Sequence, residues 1–126
     1  MNVNFDNNIP IYIQLLDYMK IYIISDFFSC GSKLPSVRDL ANMFKVNPNT
    51  MQKALTELED LKLIYTERTN GKYVTKNKKI IEKVKNEYAK EIANKYFESM
   101  NKIGIDKARA INYLYERKIE DGTIRD

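Results

Sequence analysis

With 126 residues, 44% of them hydrophobic, the chain suffices for one domain, or for a small domain with an appendage, and is too apolar to be a disordered polymer. Its 21 basic and 17 acidic residues leave a net charge of +4, which permits a polyanionic partner without requiring one. One cysteine and no histidine exclude an intramolecular disulfide, a Cys/His zinc site and any Cys–His or Ser–His nucleophile; with carboxylates spread over exposed helix faces and no Gly-rich phosphate loop besides, no cofactor, metal or enzymatic activity is expected.

No apolar run reaches the roughly 18 residues of a membrane span. The N-terminus shows no basic region ahead of an apolar segment, so the cytoplasm is the expected compartment. Residues 1–8 are polar and are expected to fray or lie partly extended. From Ile9-Pro10 onward, Tyr12, Leu15, Leu16, Met19 and Ile23 follow the spacing of one helix face. Ile11, Tyr18, Ile21, Tyr22 and Ile24 add apolar surface elsewhere on that helix. Two burial patterns fit: a helix covered on two sides by its own domain, or one that meets a partner subunit.

A connection over 25–33 contains Ser29-Cys30-Gly31-Ser32. Cys30 in that turn reads as structural, with redox sensing as the alternative. Ser36 and Asp39 then form an [ST]-x-x-[DE] capping box at the start of a short helix that buries Val37, Leu40 and Ala41, with Met43 and Phe44 as further candidates. Arg38 faces away from that apolar set, as an exposed side chain or as a contact to phosphate or guanine.

Asn47 is a good N-cap, and Pro48 suits the first helical position. The next helix buries Met51, Ala54, Leu55 and Leu58, and it begins with a polar face of Asn49, Thr50, Gln52 and Lys53. No acidic residue occurs from Lys45 to Thr56; Glu57, Glu59 and Asp60 come only in the later turns. Free N–H groups, amides, a hydroxyl and a lysine at a helix start suit phosphates and base edges. The pattern of helix, tight turn and helix is a helix-turn-helix with a recognition helix at 48–61.

The chemistry then turns to strand. Leu63–Arg68 is rich in β-formers, Asn70-Gly71 signals a hairpin, and Lys72–Thr75 returns. A hairpin in this place is a wing, with Arg68 and Lys72 flanking its tip and Lys76, Lys78 and Lys79 behind it. That basic cluster is either a solvated linker or a contact to phosphate or minor groove.

Beyond Ile80, Ile81, Val84, Tyr88, Ile92, Tyr96 and Met100 step by three or four, with Phe97 and Ile103 widening the stripe. Gly104 stops the helix, and Asp106 can cap a last one bearing Ala108, Ile111, Leu114, Tyr115 and Ile119. Two such helices cannot enclose a core alone. They pack either on the first helix of the same chain or, as favoured here, on the same hairpin of a second subunit. A small effector near Tyr88, Tyr96, Tyr113 and Tyr115 is conceivable, although aromatic residues at this spacing ordinarily make core.

The expected fold is therefore mainly α with a small β-hairpin: a winged helix-turn-helix over 1–76, then a two-helix dimerisation region over 77–126. From Leu34 to Val74 the sequence resembles the GntR family of bacterial transcription regulators. The matching residues are Leu34-Pro35-Ser36-x-Arg38-x-Leu40-Ala41, Val46-Asn47-Pro48-Asn49-Thr50, Leu58-Glu59 and Arg68-x-x-Gly71-x-Tyr73-Val74. Upstream, Pro10-Ile11-Tyr12-x-Gln14 resembles the start of the family's first helix, and the short two-helix tail is most similar to the YtrA-type subfamily.

The resemblance implies a homodimer on a palindromic operator in double-stranded DNA, usually a repressor and often of a transporter operon. By matching position it assigns DNA contacts to Ser36, Arg38, Asn47, Asn49, Thr50, Gln52 and Lys53, and the wing role to Arg68, Asn70 and Gly71. The chain departs from the family at Lys53, where arginine is usual, and lysine lacks arginine's bidentate fork. It also departs at the wing tip Arg68-Thr69-Asn70-Gly71, at Lys62 and Asp26 in place of glycine, and at Cys30 in place of proline. The competing reading of the same fold is a winged-helix protein-interaction module without specific DNA binding.

Overall fold

A computed structural model of the chain describes residues 3–120, with side chains described through Arg117. The element order is α1 (Ile11–Ile24), α2 (Val37–Phe44), α3 (Pro48–Asp60), β1 (Ile64–Glu67), β2 (Gly71–Val74), α4 (Lys78–Lys102) and α5 (Lys107–Glu120). The chain divides into two compact units, Met1–Lys85 and Asn86–Asp126. That division falls later than the 76/77 boundary expected from the sequence, because Ile80, Ile81 and Val84 at the start of α4 pack against the core of the first unit.

In the first unit, α1, α2 and α3 surround one core. Leu15, Met19, Ile23, Leu40, Ala41, Phe44, Met51, Ala54, Leu55 and Leu58 are all buried in it, as the helical spacing predicts. Val37 is only half-buried and Met43 is exposed, so of the two further candidates on α2 only Phe44 joins the core. Phe28 and Leu34, in the connection between α1 and α2, are buried as well. The sequence gives them no periodic context.

The N-terminal segment is not frayed over its described residues. The Gln14 side chain accepts from the Asp6 N–H at 2.7 Å and donates to the carbonyls of Asp6 and Ile9 at 2.7 and 2.9 Å. Tyr18 donates through its hydroxyl to the Asn4 carbonyl at 3.0 Å and accepts from the Asn4 N–H at 3.1 Å. Phe5 meets the Tyr18 ring edge-on, and Val3 and Phe5 pack against the core. Two polar side chains on α1 thus supply the backbone partners that a short extended segment otherwise takes from water.

Among the described residues, three non-glycine positions keep a left-handed backbone, one of them Lys45 at the end of α2 (φ 57°). Lys62 has φ 65° and Asp26 has φ 70°. After α3 the Leu63 N–H reaches back to the Leu58 carbonyl at 3.0 Å, which is the helix-ending bond that a left-handed residue makes possible. A side chain in this conformation costs about 1–2 kcal/mol, so packing of the buried Leu63 and Ile64 holds the turn against its own residue. Gly104, at φ 84°, ends α4 by the same geometry, with the Ile105 N–H on the Met100 carbonyl at 3.0 Å.

The hairpin is antiparallel, with Ile64 opposite Val74, Tyr65 opposite Tyr73, Thr66 opposite Lys72 and Glu67 opposite Gly71. Its loop is Arg68-Thr69-Asn70, and Gly71 (φ 111°) already belongs to β2. Alternation puts Ile64 and Val74 on the core face and stacks Tyr65 on Tyr73, 5.6 Å between ring centroids, on the other. The far edge of β2 is paired too. The Leu34 N–H donates to the Lys72 carbonyl at 2.8 Å, and the Val74 N–H donates to the Ser32 carbonyl at 2.9 Å. Cys30 donates its thiol to the Thr75 carbonyl at 3.2 Å beside this added strand, which fits the structural reading of that residue.

In the second unit, Tyr96 on α4 donates its hydroxyl to the Ala110 carbonyl on α5 at 2.5 Å, and Ala110 is fully buried there. Asp106 accepts from the Arg109 N–H at 2.9 Å, capping α5 as its position predicts. Among the described residues, no helix is long and apolar enough to cross a membrane. The Ile119 side chain lies outside the described residues.

Candidate nucleic-acid interface

The start of α3 is built by its cap. Asn47 accepts from the Asn49 N–H at 2.8 Å, and Pro48 occupies the first turn, where its missing N–H removes no helical bond. Ser36 does the same for α2, accepting from the Asp39 N–H at 3.1 Å. Both caps fix backbone direction at a contribution of about 1 kcal/mol each. Asn47 keeps its amide N–H groups and Ser36 its hydroxyl proton for an outside acceptor.

Burial of Met51, Ala54, Leu55 and Leu58 sets the rotation of α3 and leaves Asn49, Gln52 and Lys53 exposed, with Thr50 half-buried between them. Arg38 is exposed on α2. The absence of acid in the first turn of α3 leaves the positive end of the helix dipole uncompensated. Gln52 leans towards Thr56, Nε2 to Oγ1 at 3.4 Å, while Thr56 donates to the Gln52 carbonyl at 3.0 Å. Lys53 does not extend straight into solvent: its Nζ lies 3.7 Å from the centroid of the Tyr12 ring on α1.

The wing separates the residues expected at its tip. Arg68, Asn70 and Gly71 are exposed. Asn70 donates from its amide to Glu67 at 3.2 Å, which orders the tip without hiding it. Lys72, also expected to contact DNA, instead points back into the protein. Its Nζ lies 3.4 Å from Glu59 Oε1 on α3 and 3.0 Å from Thr66 Oγ1, and its side chain is only 20% exposed. The cause is register: Lys72 sits opposite Thr66, on the strand face that meets α3. Thr66 in turn donates to Glu59 at 2.5 Å.

The Thr66 hydroxyl, aided by the Lys72 ammonium and against the opposing effect of burial, holds the Glu59 carboxyl below its usual value. This trio ties the hairpin to the end of α3, and hydrogen bonds to the carboxylate as well as the nearby ammonium favour its charged form. The further basic residues Lys76, Lys78 and Lys79 are all exposed. Asn77 between them accepts from the Lys79 N–H at 3.0 Å and so caps α4.

On the expected dimerisation stripe, Ile81 and Val84 are half-buried against the core of their own domain. Their apolar character is accounted for within the chain, because the stripe of α4 continues past the point where its own domain ends. Tyr96 is committed to closing the α4–α5 hairpin, while Tyr88 and Met100 are half-buried. Ile92, Leu114 and Tyr115 remain 66%, 54% and 61% exposed, and Ile111 is 39% exposed. The sequence missed the roles of Tyr12, Thr66 and Glu59. Each depends on a neighbour brought in by tertiary packing, which no local pattern encodes.

The profile described as bacterial regulatory proteins of the gntR family matches residues 11–74. The HTH-type transcriptional regulator YhcF of Bacillus subtilis is 32% identical over 107 residues, 85% of this chain and 88% of that one. The HTH-type transcriptional repressor YtrA of the same organism is 44% identical over 70 residues, 56% of this chain and 54% of that protein. Among solved structures, a GntR family transcriptional regulator from Listeria monocytogenes superposes with a TM-score of 0.81 at 40% identity, covering 89% of this chain and 98% of its own.

Proposed function

The chain belongs to the GntR family of bacterial regulatory proteins, and on that footing we propose that it is a sequence-specific DNA-binding repressor acting as a homodimer on a palindromic operator. One observation carries the reading. Two capped helices turn their apolar faces into one core, leaving Arg38 exposed on the first and Asn49, Gln52 and Lys53 exposed on the acid-free start of the second.

The chemistry follows from those side chains. α2 crosses the phosphate backbone and α3 enters the major groove. Asn49 and Gln52 can pair with adenine edges through their amides, and Thr50 can bond a phosphate or touch a thymine methyl. Arg38 supplies a forked donor for guanine or phosphate, and Lys53 a point charge for phosphate. Ser36 and Asn47 donate what their caps leave over, and Arg68, Asn70 and Gly71 follow the adjacent minor groove. Lys72 serves this interface by fixing the wing to α3. Ile92, Ile111, Leu114 and Tyr115 supply the apolar surface for a second copy. The repressor sense rests on likeness to regulators so named, and a transporter operon as target rests on the YtrA-type resemblance alone.

The test is a titration of duplex DNA at several salt concentrations. Log affinity is expected to fall with log salt by roughly 0.9 per neutralised phosphate. A slope near zero on every duplex tried would remove DNA from the account.

A further inference from the structure

Lysine at position 53 raises a physical problem for a DNA-facing site. Its ammonium rides on a flexible four-carbon stem and has no fork to lock it onto two acceptors, so each contact must first order the side chain. Here that ordering exists before any DNA arrives. The Lys53 Nζ lies 3.7 Å above the centroid of the Tyr12 ring, well inside the reach of a cation–π contact. Tyr12 itself is half-buried in the first turn of α1, a helix that packs against α3. A contact to a ring face uses little of the ammonium's hydrogen-bonding capacity and leaves N–H donors for a phosphate oxygen.

We propose that Tyr12 is a positioning residue for DNA binding: its ring holds the Lys53 ammonium where it meets a backbone phosphate, so α1 contributes to the interface through α3. The inference rests on the DNA-binding reading above. It assigns to the aromatic ring of Tyr12, and not to its hydroxyl, a share of the sequence-independent affinity.

The experiment measures binding of random-sequence duplex DNA, because a phosphate contact is blind to sequence. The proteins are the full chain and its variants Tyr12→Phe, Tyr12→Leu, Lys53→Met and the Tyr12→Leu, Lys53→Met pair. Tyr12→Phe keeps the ring and is expected to bind as the parent does. Tyr12→Leu is expected to lose about threefold in affinity, the size of one exposed cation–π contact. In the Lys53→Met background the Tyr12→Leu change is expected to cost nothing further.

A second readout needs no DNA. The Lys53 ε-methylene protons should show an upfield ring-current shift in the parent and in Tyr12→Phe, and lose it in Tyr12→Leu. An equal loss from Tyr12→Leu with and without Lys53 would overturn the proposal, since Tyr12 would then act on its own or through the fold. So would a Tyr12→Phe variant as weak as Tyr12→Leu, or a missing ring-current shift. If the parent binds DNA and Tyr12→Leu binds equally well, this inference alone falls. If the parent fails to bind any duplex, the DNA reading falls and takes the inference with it.

Discussion

Replacing Arg38 and Lys53 together by alanine is expected to lower affinity for the operator about a hundredfold while leaving the fold intact. Both side chains are exposed, at the start of α2 and in the second turn of α3, and neither belongs to the buried core. Their removal opens no cavity, so the thermal midpoint should stay near that of the parent. The loss has two parts. A forked arginine contact to a base is worth about 1–3 kcal/mol of discrimination. A lysine on a phosphate adds affinity that is uniform across sequences and salt-dependent, and its removal from both subunits should flatten the salt slope by about 1.8, or 0.9 per phosphate. Losing the arginine should also relax preference at one base position per half-site. Anisotropy titrations at several salt concentrations read all of this. Full affinity and an unchanged slope in a folded double variant would favour the protein-interaction reading of the same winged helix.

The second large effect concerns assembly. Changing Ile92 and Leu114 to glutamate is expected to give a monomer whose affinity for the full operator falls about a hundredfold, with little change on an isolated half-site. Ile92 and Leu114 are large apolar side chains more than half exposed on the second unit, where a lone chain gains nothing from them. A charge at each would be desolvated in a subunit interface but is harmless in water. Two linked binding modules gain about 10²–10⁴ in avidity, and that gain is lost when each acts alone. Sedimentation equilibrium gives the stoichiometry, and paired titrations on full-site and half-site duplexes give the energetic consequence. A dimer that survives both changes would move the interface off this surface, and the exposed Ile9 and Ile13 on the first unit would be next in line.

Much of this architecture could be read from residue order. The stripes Leu15–Met19–Ile23 and Met51–Leu55–Leu58, the caps at Ser36, Asn47 and Asp106, and the stop at Gly104 are local signals, and the structure uses each of them. The exposed face of α3 followed, because burial of one stripe dictates exposure of the other. Features that depend on pairing between distant residues were not legible. Lys72 looked like a wing-tip cation until strand register put it opposite Thr66 and under Glu59. Ser32–Leu34 carries no strand pattern, yet it pairs with the edge of β2. The polar N-terminus looked free because its partners, Gln14 and Tyr18, are ordinary helix residues by sequence.

Ile81 and Val84 share a period with Ile92, and periodicity alone does not say where one domain stops claiming a helix face. The left-handed turns at Asp26 and Lys62 show the same limit from the other side. No glycine marks them, and packing beyond the turn imposes the conformation. The departures from the family pattern at Asp26 and Lys62 loosened the expectation of turns there, and the left-handed backbone is kept at both.

If α3 reads DNA within a two-fold assembly, selection of bound sequences from a random duplex pool will show it. The expected result is an enriched palindrome whose half-sites lie at a fixed spacing of roughly one helical turn, about 34 Å. Recovery of no enriched sequence, or of a single unrepeated motif, would contradict it.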